Sequence, residues 1–393
     1  MSTRTSWDEA RAIAAAAPVA LPSEQVDLAA CTGRGLARDA LAPIDLPHFA
    51  SSAMDGWLTV GEGPWTLTHA EPAPGQARAI VTGGSVASEP GAVLRSESGT
   101  VVDGVLHSHR ADEPRPGQHI RPRGTDAARG DVLIAAGVVL NPAHIALAAS
   151  AGLDDLWVHA QPEVALVLTG DEVITAGIPA PGFVRDTFGI QLPTLLPMLG
   201  ARVTAARRIA DDLDDTIRAI RESEASLIVT TGGTGSSPAD HVRPALEALG
   251  ARVLLDGVAM RPGGPTTLAR LPDGRLVLCL PGNPLAAMVA MITLGEPVIA
   301  GLSGRAPRPA RGLRGIDVVG RAGSTRLMPY RLVNDRIALV PWQGAGTTRG
   351  LADASGLLVV PDGGTAEGAP VEVIDLPWFA SSPPAPGRGL DGS

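Results

Sequence analysis

Five segments of this chain combine acids, amides, hydroxyls and glycines in patterns that suit an anionic ligand. In Leu46-Pro-His-Phe-Ala-Ser-Ser-Ala-Met-Asp-Gly56 an acid, Asp55, stands beside a glycine in a run of small residues, a composition that fits a ligand-holding loop better than a core. Thr169-Gly-Asp-Glu172 adds Asp171 and Glu172, and Asp171 can equally serve as a turn residue bonding its own backbone. Thr230-Thr-Gly-Gly-Thr-Gly-Ser-Ser237 joins an apolar run to glycines and hydroxyls, so that backbone N–H groups near Gly232 and Gly233, with Thr234 and Ser236, can cradle a phosphate. Asp240 downstream reads either as a ligand contact or as a helix N-cap. Arg261-Pro-Gly-Gly-Pro265 offers a guanidinium that grips an oxyanion with two donors. In Leu280-Pro-Gly-Asn-Pro284, Pro281 and Pro284 fix a turn from which Asn283 presents both a donor and an acceptor.

The elements that must position these groups are legible in the middle of the chain. Residues 164–168, 227–230 and 276–280 are continuous apolar runs of strand length, separated by helical segments at about 212–223, 240–249 and 285–302. This pattern predicts an α/β multidomain protein with a central, doubly wound, mostly parallel sheet. Three of the motifs begin where the apolar runs end. Ligands of open α/β sheets bind outside the carboxyl ends of the strands, so the three are expected at one edge.

Around this centre the expected organisation is an elongated N-terminal domain of residues 1–54 and 125–160, a small β-rich domain of 55–124, the α/β domain of 161–304, a C-terminal β-barrel or sandwich of 313–378, and a disordered Pro, Gly and Ser-rich tail at 381–393. Ser6-Trp-Asp-Glu9 has capping-box spacing and should open a helix that Pro18 ends, while Asn141-Pro142 should start another. The stretch 305–312, with its alternating Arg and Pro, reads as a rigid exposed linker.

Composition narrows the function. A formal net charge of -9 opposes broad binding to nucleic acid, because a phosphate backbone rewards clustered cations. No lysine occurs, so all 32 basic residues are Arg. Cys31 and Cys279 are the only cysteines and lack metal-ligand spacing, which predicts a reducing, cytoplasmic setting. The acidic start opposes a signal peptide, no apolar stretch of about 20 residues predicts a membrane span, and no His pair, serine-hydrolase elbow or Walker lysine is found.

Taken together, the order and separation of these motifs resemble the molybdopterin molybdenumtransferase family, over nearly the whole chain. The resemblance implies insertion of molybdate into adenylylated molybdopterin with release of AMP, assisted by Mg²⁺ on Asp55, Asp171 and Glu172. It implies catalytic roles for Asp55, Thr82, Asp126 and Glu172, with Glu97 as an acidic partner near the Thr82-Gly-Gly84 loop. Substrate binding falls to Arg123, Asp186, Gly232, Gly233, Thr234, Ser236, Asp240, Arg261, Pro281, Asn283 and Pro284. A homodimer with shared sites is implied as well, and other proteins of molybdenum cofactor biosynthesis are further expected partners.

Three positions depart from the family pattern. Thr125 stands where an acid is common, Phe188 replaces an Asn, and Gly264 replaces the second Lys of Lys-Pro-Gly-Lys-Pro, leaving Arg185 or Arg123 to supply the missing cation. These departures keep open a non-catalytic, molybdopterin-binding paralogue. A molybdopterin adenylyltransferase, which shares the middle domain, is the other alternative, opposed by the flanking β-rich segments and the Asp55 motif.

Overall fold

The computed structural model describes residues 4–87, 91–232 and 241–379. Gly233, Thr234, Ser236 and Asp240, and the tail expected at 381–393, lie outside the described residues. The chain divides into two compact units, residues 25–158 and the remainder.

Within residues 25–158 a six-stranded sheet runs in the order Gly91–Arg95, Gly56–Val60, Gln76–Ile80, Trp65–Leu67, Val105–Ser108, Gly99–Val102. Its two faces are filled by Leu58, Ile80, Val86 and Val93 on one side and by Trp65, Leu94 and Leu106 on the other. A separate core in the same unit gathers Cys31, Leu36, Ile134, Leu140 and Leu156 around the helix Pro142–Ser150. Asn141 caps that helix reciprocally with His144, satisfying two N–H groups that the first turn leaves free.

The other unit holds the central sheet, in the order Arg202–Arg208, Glu163–Leu168, Leu227–Thr231, Leu276–Leu280, Thr267–Arg270, Arg252–Asp256. The first four strands are parallel and the last two antiparallel. Strands covered on both faces have no solvent side to make polar, and all five residues of Leu227–Thr231 and of Leu276–Leu280 are buried. Each such Leu or Val removed from water contributes roughly 1.5–3 kcal/mol. The longest apolar helical stretch, Pro284–Leu302, is 94% buried in this core, interrupted by a π-helical turn at Met291–Gly295.

A second sheet in this unit differs from the expected plan. Its path is Thr5–Ser6, Val258–Arg261, Thr325–Val333, Gly356–Val360, Pro370–Asp375, Arg311–Arg314, with Arg336–Leu339 also pairing the long third strand. The segment expected as a free-standing C-terminal β domain therefore shares its sheet with strands from the middle and the start of the chain. Residues 4–24 belong here too, rather than with the N-terminal domain. The physical reason is the helix Trp7–Ala16, whose buried face of Trp7, Ala10 and Ala14 enters the core of Val164, Leu278 and Ile299.

The stretch read as an exposed linker is likewise tethered. Arg305 makes an ion pair with Glu296 at 2.8 Å, their side chains only 9% and 3% exposed, and the backbone N–H of Arg308 donates to the same carboxylate. Residues 306–310 lack regular structure as the proline density predicts, but residues 311 and 312 open the Arg311–Arg314 strand, and nothing in the spacing announced the buried acid that anchors the stretch.

Candidate active site

The register of the central sheet decides what meets at its edge. Leu168 pairs with Thr231, Thr231 with Leu280, and Leu168 with Arg208, so four parallel strands end level with one another. The chain leaves them at Thr169, Gly232, Pro281 and Ile209. A cavity of about 700 Å³ opens there, lined among others by Thr169, Glu172, Arg185, Asp186, Thr231, Gly232 and Asn283.

Backbone geometry makes this edge. Gly232 has φ +79°, and its Cα would lie 3.8 Å from a Cβ on Gly282, so the two glycine turns pass close together. Thr169 donates its hydroxyl to the Thr231 carbonyl at 2.6 Å, tying the first turn to the second. Thr231 Oγ1 is buried and has no partner among the described residues, an unmade hydrogen bond at the wall of the cavity. Pro281 is buried behind the turn, while Asn283 is exposed at the start of the Pro284–Ala290 helix.

Asp186 is the best-anchored acid. Its carboxylate accepts from the Gly189 N–H at 2.9 Å and faces Arg208 at 2.7 Å. Burial pushes this carboxyl upward, but the Gly189 N–H and the Arg208 guanidinium outweigh burial and hold it below its ordinary value. Arg208 also donates to the Thr169 carbonyl at 3.2 Å. Asp186 thus orients an arginine at the strand edge. Phe188, which stands in place of the family amide, lines the same cavity as an apolar wall.

Asp211 binds the Thr169-Gly-Asp-Glu172 turn, accepting from the N–H of Gly170 at 2.9 Å and of Asp171 at 3.2 Å. Asp171 in turn accepts from the Asp211 N–H at 3.3 Å, so it acts as a turn residue here, and Glu172 is the acid of that motif which lines the cavity. Arg208 and Asp211 were missed by sequence reasoning. They sit on and just after the Arg202–Arg208 strand, whose Arg-rich sequence lacks an apolar run, and only the register with Leu168 reveals them.

Asp55, Thr82, Arg123 and Asp126 belong to the unit of residues 25–158. There Asp55 accepts from both the N–H and the hydroxyl of Thr82, at 2.6 and 2.8 Å. These donors, the N–H first, hold its carboxyl below the usual range. Gly56 follows at φ +155°, with the Leu94 carbonyl 2.0 Å from where a Cβ would stand, so no side chain fits. Arg123 is paired with Asp45 at 2.7 Å, and Asp126 with Arg121. Thr125 closes a turn on the Pro122 carbonyl at 2.6 Å. The Arg123 side chain remains 65% exposed in this pair. Glu97 is exposed and paired with Arg95 at 3.1 Å.

Arg261 does not line the strand-end cavity. It ends the Val258–Arg261 strand and borders two smaller cavities with Arg321. Arg185 lines the strand-end cavity rather than approaching Gly264, and the cation lying against Gly264 is Arg4, whose Nη1 is 3.1 Å from the position of a Cβ there. The expectation that Arg185 or Arg123 replaces that charge is therefore corrected. Among the described residues no three His, Cys, Asp or Glu side chains converge on a common point. Burial pushes the Cys279 thiol up to about 12, which leaves it a neutral core group and no nucleophile.

Comparison with known proteins bears on the family and the fold. Residues 5–152 match the family described as MoeA N-terminal region (domain I and II), and residues 165–301 match that described as "Probable molybdopterin binding domain". A molybdopterin molybdenumtransferase of Haemophilus influenzae is 31% identical over 73% of this chain and 75% of its own length. Its counterpart in Synechococcus elongatus is 30% identical over 93% of this chain and 97% of its own. The crystal structure of molybdopterin biosynthesis moeA protein from Pyrococcus horikoshii OT3 superposes with a TM-score of 0.78 at 20% identity, covering 94% of this chain and 99% of that one, and so shows the shared fold.

Proposed function

Since this chain belongs to the molybdopterin molybdenumtransferase family and is a transferase of molybdenum cofactor biosynthesis, we propose that it inserts molybdate into adenylylated molybdopterin and releases AMP. The observation that carries this reading is the level ending of the Glu163–Leu168, Leu227–Thr231 and Leu276–Leu280 strands on one cavity of about 700 Å³. Glycine turns, an amide, an arginine and three carboxylates border it, a set that offers a phosphate-bearing heterocycle both anion donors and acceptors for a ring or a metal.

In this reading the backbone at Gly232 and the unpartnered Thr231 hydroxyl hold phosphate oxygens, and Arg185, whose buried Nη1 has no partner among the described residues, adds a charged donor. Asn283 orients a ring by its amide. Asp186 keeps Arg208 against the Thr169 turn, so that the wall is formed before substrate arrives. Gly233, Thr234, Ser236 and Asp240 are proposed to extend the phosphate contacts. The sulfurs that receive molybdenum belong to the substrate, in keeping with two buried, protonated cysteines.

Mg²⁺ is the proposed metal, and the residues fit it in a limited way. Mg²⁺ is held by one or two carboxylates together with water and substrate phosphate rather than by an all-protein cage. Glu172 makes no ion pair among the described residues and is the strand-end acid left for this role, whereas Asp171 is engaged with Asp211. When bound, the ion would neutralise charge on the adenylyl phosphate. We further propose a cytoplasmic homodimer in which Asp55, Thr82, Arg123 and Asp126 of one subunit serve the strand-end cavity of the other, with other proteins of the same biosynthesis as partners. The retained Asp55 and Glu172 favour an enzyme over a non-catalytic binder.

The test is molybdate-dependent release of AMP from adenylylated molybdopterin by the purified chain with Mg²⁺. AMP formation that ignores molybdate, or its complete absence with bound pterin, would remove this assignment.

A further inference from the structure

Beside the strand-end cavity lies a second one of about 430 Å³, and the two share a border at Arg185, Asp186 and Thr187. Its remaining walls are mainly apolar, formed by Ile190, Met288, Leu351 and Trp378, with Gln191 as the one amide. The helices Phe188–Met198, Pro284–Ala290 and Arg349–Ala352 supply the first three. Met288 and Leu351 are 8% and 2% exposed, so these walls are fixed by the core in which they also pack.

The start of the Phe188–Met198 helix divides the two spaces. Phe188 lines the strand-end cavity, whereas Ile190 and Gln191 line its neighbour. The Gln191 N–H donates to the Thr187 carbonyl at 2.9 Å, which places Gln191 one turn on from Thr187 and on the same side. Gln191 Nε2 is buried and has no partner among the described residues, and neither has Arg185 Nη1 at the shared border. A buried donor left without an acceptor costs free energy that an acceptor on a ligand recovers. The acid at this border, Asp186, already has its charge met by Arg208.

An apolar slot with one amide suits a purine better than a pterin. A pterin carries several donors and acceptors along one edge and would bury most of them unmet against Met288 and Leu351. Adenine offers two apolar faces and, on one edge, the acceptor N7 beside its 6-amino donor, a pair that a Gln amide meets with two hydrogen bonds. From this match we infer that the side cavity holds the adenine of the adenylyl group, that Gln191 selects it through its amide, and that Arg185 holds the phosphate where the two cavities join. The pterin-bearing half then occupies the larger, more polar cavity. The identity of the substrate rests on the transferase reading above; the preference for adenine rests on Gln191 and the apolar walls.

Equilibrium dialysis of the full chain against AMP, IMP and free pterin compares wild type with Gln191→Leu and Gln191→Glu. IMP presents two acceptors on the edge where AMP has one acceptor and one donor, so it leaves the Gln191 carbonyl unmet. Wild type should bind AMP about ten-fold more tightly than IMP, and Gln191→Leu should lose about ten-fold in AMP affinity and bind the two alike. Gln191→Glu keeps an acceptor for the amino group and should retain part of the preference. Pterin affinity should be the same in all three proteins. Equal affinity of wild type for AMP and IMP overturns the inference whatever the variants do. So does wild-type AMP binding in Gln191→Leu at unchanged melting temperature, or a loss confined to pterin. If the preference follows Gln191 in a protein that releases no AMP from adenylylated molybdopterin, the adenine site stands and the transferase reading falls. AMP release without that preference keeps the transferase and removes the site.

Discussion

Asp55 takes both hydrogen bonds of its Oδ1 from a single residue, Thr82: the N–H at 2.6 Å and the hydroxyl at 2.8 Å. An exposed loop acid is thereby held in one orientation by a second loop, a stable carboxylate aimed without burial. Thr82→Val removes the hydroxyl and keeps the N–H. The Asp55 carboxyl should then titrate higher than in wild type, measurable by NMR, with little change in melting temperature because both groups face solvent. An unmoved titration would mean the hydroxyl donates elsewhere in solution.

Asp186 is the contrasting case, an acid 9% exposed between the Gly189 N–H and Arg208. Its folded pKa is depressed, so its contribution to stability is present above the unfolded carboxylate value near 4 and is lost as pH falls through the folded value. Asp186→Asn should cost about 2 kcal/mol at pH 7 by leaving Arg208 without its counter-charge. Urea titrations at pH 7 and pH 3 check both points, the gap between wild type and variant narrowing at the lower pH. Gly189→Ala should act on the same pair, since its Cβ would fall 2.5 Å from Asp186 Oδ2.

Glu296 and Arg305 are the most deeply buried ion pair among the described residues, and Glu296 also receives the Arg308 N–H. Arg305→Ala strands a buried carboxylate and should destabilise the protein by about 3 kcal/mol. The double variant Glu296→Leu/Arg305→Leu should recover part of that loss. Equal stability for the single and double variants in urea would show that the charge is relieved in another way.

If sites are completed between subunits, mixing Asp55→Asn with Asn283→Ala chains should restore activity that neither has alone, because one site of the mixed dimer is intact. Mass spectrometry verifies that mixed dimers form. Their inactivity would put both residues in one subunit's site.

Much of this protein is written along the chain, and the reason is local. The runs ending at Leu168 and Leu280, and residues 227–229 at the start of the strand that ends at Thr231, are apolar because a strand covered on both faces has no polar side, and glycine-rich turns must follow where the backbone passes a neighbouring turn closely. Asn141 and Ser6 mark their helices because a cap lies within three residues of the N–H that it satisfies. Such features need only neighbours in sequence.

Tertiary structure decided whatever depends on partners far along the chain. Nothing near Arg208 or Asp211 reveals that register with Leu168 brings them to the Thr169 turn. Proline spacing at 305–310 could not announce Glu296, nor could residues 258–264 announce that a two-residue strand at Thr5–Ser6 would lay Arg4 over Gly264. Arg261 reads as an anion ligand from its own motif, but which cavity it serves follows from joining the Thr325–Val333 sheet. Short-range propensity and packing pattern are carried by adjacent residues, whereas charge pairing and cavity shape are properties of contacts between segments, and those exist only once the chain has closed on itself.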